Sequence, residues 1–74
     1  MKITRRHVNS SYNEIDRRIE RMLRDGDLAL SEVHDERNAM LQGLYSVFMM
    51  LSDNWPEVAE WCRSNEEERG YYYG

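Results

Sequence analysis

The sequence predicts an all-α protein: an antiparallel helical hairpin closed by a short third helix, in a bundle expected to dimerise. Three observations carry this. Apolar residues recur at steps of three and four through most of the chain. Gly26 and the stretch Asp53-Asn54-Trp55-Pro56 cut that recurrence into three segments. No segment keeps up the strict alternation of a half-buried strand.

Before the first helix, residues 1–10 carry no strong pattern and are expected to form a flexible arm, with Ile3 and Val8 as its apolar members. Ser11 followed by Glu14 fits a capping box and places the start of helix one at residue 11. Tyr12, Ile15, Ile19 and Met22 then form a narrow apolar stripe. Gly26 supplies a left-handed stop, so the helix is expected over 11–25.

The short turn that follows makes helices one and two antiparallel neighbours. Met40 to Leu51 is the one dense apolar block of the chain, and the rest is expected to pack on it. Leu30, Val33, Arg37, Met40, Leu44, Val47 and Leu51 line one helical seam; His34, Leu41, Tyr45 and Phe48 form a second beside it. Helix two is expected over 28–52, with Met40, Leu44, Val47, Phe48 and Leu51 as core or dimer face. Gly43 inside it has two readings: close approach by another helix, or a tolerated exposed glycine. Pro56 suits the first turn of a third helix, expected over 55–65 with Asp53 or Asn54 as cap. A tyrosine-rich tail, 70–74, completes the chain.

A chain of 74 residues is one domain near the lower size limit for a self-sufficient core. Its lone cysteine, Cys62, excludes an internal disulfide and reads as a small core residue in a reducing compartment. Association with another chain is therefore the expected supplement. The longest apolar run is too short to span a bilayer, and no apolar segment follows the basic N-terminus as in a secretory signal. The expected location is cytoplasmic, without membrane contact.

Charge is unevenly placed. Residues 1–25 hold seven Lys/Arg against four Asp/Glu, whereas residues 26–74 hold three against ten. Arg17, Arg18, Arg21 and Arg24 project away from the stripe of helix one, either as a binding surface or as a solvated face balanced by Glu14, Asp16, Glu20 and Asp25. Glu32, Asp35 and Glu36 sit in the early turns of helix two, with Glu57, Glu60 and Glu66–Glu68 as further acids. Carboxylates at that position disfavour helix two as a reader of duplex DNA.

Metal ligation has no support, because His7, His34 and Cys62 are isolated and no His-Glu-x-x-His or Cys-x-x-Cys occurs. No cofactor motif or nucleophile-with-base spacing is present, so an enzyme is not expected. Trp61 and the tail tyrosines Tyr71, Tyr72 and Tyr73 are candidate partner anchors, beside the readings of packed core and frayed end. The expected function is non-catalytic protein binding: a small regulator or inhibitor docking on a larger protein, with a homodimer as its own state. In general character the chain is similar to phage accessory and inhibitor proteins that act on nucleic-acid-handling enzymes, though no motif carries that likeness. Two alternatives stand beside it: nucleic-acid binding through Arg5, Arg6 and the helix-one arginines, and a structural assembly subunit.

Overall fold

A computed structural model describes residues 1–71. Its elements are all helical: α1 (Arg5–Arg24), a single 3-10 turn (Leu30–Glu32), α2 (Val33–Leu51) and α3 (Trp55–Glu68). No strand occurs among the described residues. The class is all-α, and the helices form an up-down-up bundle. Cross-links fix its polarity: Ile3 bonds Asn54, Asn9 bonds Asn65, and Asp16 bonds Arg69, so α1 and α3 ascend together.

Helix α1 begins six residues earlier than the Ser11 signal indicates. Thr4 is its N-cap: the hydroxyl accepts from His7 N at 3.2 Å, and His7 Nδ1 accepts from Thr4 N at 3.4 Å. The imidazole takes the place of the usual carboxylate in a capping box. Ser11 instead donates back to His7 O at 3.0 Å, inside the helix. The expected flexible arm is thus mostly helix, and Val8 extends the apolar stripe by one turn. Val8, Tyr12, Ile15 and Ile19 are all buried. The remaining lead-in is clamped as well. Asn54 accepts from Ile3 N at 3.1 Å and donates to Ile3 O at 2.9 Å, while Asp53 N donates to Met1 O at 2.9 Å. Ile3 is buried as a result.

At the far end of α1, Gly26 takes φ 79°. Gly26 N donates to Leu23 O at 3.3 Å and Asp27 N to Met22 O at 2.9 Å, the paired bonds of a Schellman stop. The same device ends α3. Gly70, at φ 70°, lets Tyr71 N donate to Glu66 O at 2.9 Å. This turn folds Tyr71 back onto the bundle, where it is buried and its hydroxyl donates to Asp16. Tyr71 is therefore part of the core rather than of a projecting tail; Tyr72 and Tyr73 lie outside the described residues.

Helix α2 is shorter than 28–52. Leu28 is buried in the connection, and Glu32 Oε1 accepts from Ala29 N at 2.9 Å across the 3-10 turn. Leu30, assigned to the seam by spacing, is 82% exposed. The core itself centres on α1, which packs on both other helices, and not on the apolar block of α2. From α2 only Leu41 and Phe48 are buried. Of the five positions expected as core or dimer face, Phe48 is buried, Met40 and Leu44 pack partly against the core, and Val47 and Leu51 are exposed on the single chain. Helix α3 runs three residues beyond 65 and buries Val58, Cys62, Asn65 and Glu66.

Candidate functional site

Three surfaces stand out on the bundle, the first at the apolar end of α2. Val47, Met49, Met50 and Leu51, interrupted by the buried Phe48, lie along its last turns with exposures of 47, 57, 78 and 44%. Helical spacing puts Gly43, Val47 and Met50 on one side, next to Met40 and Leu51. This side borders a groove between α1 and α2 of about 380 Å³, lined by Ile15, Arg18, Met40, Gly43, Leu44 and Val47 among others. A Cβ atom added at Gly43 would meet nothing within 4 Å outside its own helix. Among the described residues no other helix approaches Gly43 closely, and the glycine forms part of an open floor.

The arginine stripe is the second surface. Arg17, Arg18, Arg21 and Arg24 are all exposed. Glu14 accepts from Arg17 at 2.8 Å and from Arg18 at 3.2 Å. Those two guanidinium groups hold the Glu14 carboxyl below its usual range. Arg21 and Arg24 lie in the last turn, where cations complement the helix dipole. Asp16 does not belong to this face. It turns toward α3, accepting from Arg69 at 2.6 Å and from the Tyr71 hydroxyl.

The acidic residues also divide. Glu32 and Asp35 are exposed and Glu36 is half-buried at the start of α2, while Glu67 and Glu68 are exposed on α3. Glu66 departs from its neighbours: it is only 5% exposed, and both Tyr12 and Tyr45 donate their hydroxyls to its Oε2. Burial, reinforced by these bonds to the carboxylate, pushes both phenols above their ordinary range. Burial likewise raises the Cys62 thiol, which suits a packed residue and not a nucleophile. The third surface is the cleft that Glu66 and Cys62 line between α2 and α3.

Arg69, braced by donating to Asn65 of α3 at 3.1 Å, fastens the end of α3 to α1 by donating to Asp16 at 2.6 Å and Asn13 at 2.8 Å. Arg37, which spacing placed in the apolar seam, stacks its guanidinium 4.2 Å from the Tyr71 ring centroid. Trp61 is half-buried and packs against the core, as does Trp55. Spacing alone missed the Tyr12–Glu66–Tyr45 cluster because Glu66 stands in a run of three glutamates. The available signal was the register Val58, Cys62, Asn65, Glu66, which continues the buried side of α3 into that run.

Among the described residues no three His, Cys, Asp or Glu side chains come together as metal ligands. No described helix is long and apolar enough to cross a membrane. No family model, curated protein or solved structure matches the chain.

Proposed function

We propose that this protein is a non-catalytic protein-binding module, a small regulator or inhibitor that docks through the apolar end of α2. The observation that carries the reading is the exposure of Val47, Met50 and Leu51, which helical spacing puts on one side of α2. Contiguous apolar surface on a small chain marks an interaction site more often than isolated apolar residues do. The adjoining groove beside Gly43 gives a partner side chain somewhere to enter, and methionines adapt to the shape of what covers them. The homodimer is one form of this reading, with a second copy as the occupant.

The test is affinity capture from the cell of origin with wild type and a Val47→Asp/Met50→Asp double variant, together with sizing of each purified protein. A protein retained by wild type and lost by the variant, or a wild-type dimer that the variant dissociates, is the expected result. Equal retention by both, with no dimer, overturns the proposal.

A second reading draws on the early start of α1. Arg5 and Arg6 belong to the same 20-residue helix as Arg17, Arg21 and Arg24, so the basic side chains are displayed on one rigid rod. Phosphate binding by that rod would weaken steeply as salt is raised. Absence of duplex binding at about 50 mM salt, the low end of the range where such contacts are strongest, removes this reading.

A further inference from the structure

The cleft between α2 and α3 is an open depression of about 290 Å³, lined by Gln42, Tyr45, Ser46, Trp55, Arg63 and Glu66 among others. We propose that it is a binding site for a primary alkylammonium group, supplied by a lysine side chain of a partner protein.

The argument starts from Glu66. A carboxylate this deeply buried needs a compensating charge or a full set of donors. Its Oε2 accepts from Tyr12 and Tyr45, and among the described residues neither a cation nor a donor reaches Oε1. Ser52 Oγ is the one sealed, unpartnered side-chain polar atom among the described residues, so Oε1 keeps access to solvent. The opening that Glu66 lines is this cleft. The two arginines of the C-terminal segment are engaged elsewhere: Arg63, which lines the cleft, donates to Glu60, and Arg69 donates to Asp16, Asn13 and Asn65.

The free atom also selects the cation. A guanidinium pairs best through two parallel bonds to both carboxylate oxygens, and here Oε2 already holds two hydroxyls. A compact ammonium needs one strong acceptor and two lesser ones. Glu66 Oε1 is the first. The Ser46 hydroxyl, which gives its proton to Gln42 O at 3.0 Å and keeps its lone pairs, and the Gln42 side-chain carbonyl offer the others. Tyr45 and Trp55 supply aromatic surface for the methylenes and the charge. Met49, 57% exposed, lines the same cleft, so a chain lying on the end of α2 would bring a side chain within reach. Only this last assignment, to a protein partner's lysine, rests on the proposed function; the ammonium site stands on its own geometry.

The test titrates the purified chain at constant ionic strength with n-butylammonium chloride and with Nα-acetyl-lysine N-methylamide, following the Trp55 indole N–H by NMR. Sodium chloride, tetramethylammonium chloride and the arginine analogue serve as comparisons. Expected is a saturable Trp55 shift with both primary amines and none with sodium or tetramethylammonium, weakened at least tenfold in Glu66→Gln. A Ser46→Ala/Gln42→Ala variant, altered only at exposed positions, should weaken it several-fold and covers the case in which Glu66→Gln does not fold. No saturable shift, or equal binding in a folded variant, overturns the site. Saturation by butylammonium without the lysine derivative overturns the lysine and leaves a free amine as ligand. None of these failures touches the Val47, Met50 and Leu51 side of α2, which does not line the cleft.

Discussion

Tyr12 is fully buried, and its hydroxyl shares Glu66 with Tyr45 in the middle of the bundle. Replacing it by Phe leaves the carboxylate one donor short. The expected cost is about 1–3 kcal/mol, the range for stranding a buried polar group, measured by urea denaturation. Alkaline pH acts on the same residues. The Tyr12, Tyr45 and Tyr71 phenols are all raised in the folded state, chiefly by burial. In the unfolded chain they ionise at about pH 10, so their stabilising contribution is complete below that value and is withdrawn as the pH rises above it. These three phenols should therefore ionise together with unfolding, not before it. Tyr→Phe variants at each position should remove absorbance only from that cooperative step. Cys62, buried and with its thiol raised, should resist alkylation at neutral pH until the bundle is denatured. Rapid labelling in the folded protein would contradict its placement.

At the scale of elements, the start of α1 is the sharpest point to test. Thr4→Ala removes the N-cap hydroxyl and should cost about 1 kcal/mol, whereas Ser11→Ala, inside the helix, should stay within about 0.5 kcal/mol of wild type. A reversal of that order in thermal melts would restore the later start. The sequence carried both candidates. Ser11 with Glu14 has the usual capping-box composition, while Thr4 with His7 does not, and the deciding fact is tertiary: Val8 and Ile3 are buried against the bundle. The stops at Gly26 and Gly70 differ in how far they could be read. Gly26 followed an obvious stripe. Gly70 followed charged residues, and nothing local showed that Tyr71 would land beside Asp16 and Arg37. On α2 both apolar rows were legible. Which one faces inward was not, because that depends on where α1 and α3 dock. The row of Leu41 and Phe48 turned inward, and Val47 and Leu51 were left at the surface.

For the whole molecule, the outcome is a bundle whose most apolar helix is not its most buried one. Helix α1, rich in charge, contributes four buried residues, against two from α2. Two substitutions separate core from surface on α2. Leu41→Ala should cost about 2–5 kcal/mol, as large-to-small changes in a packed core do. Val47→Asp should shift stability by no more than about 0.5 kcal/mol in the isolated chain, as surface changes do. The all-α class and the three helical segments were accessible from apolar spacing and turn residues. The buried Glu66 cluster was not, because only the docking of α1 brings Tyr12 to it.

The most direct measurement compares what wild type and the Val47→Asp/Met50→Asp variant retain in capture experiments, using an Arg17→Glu/Arg21→Glu variant of equal melting temperature as reference. If the end of α2 is the docking surface, the retained protein or second copy is lost with the aspartates and kept with the glutamates. Retention that survives the aspartates and disappears with the glutamates would contradict the account.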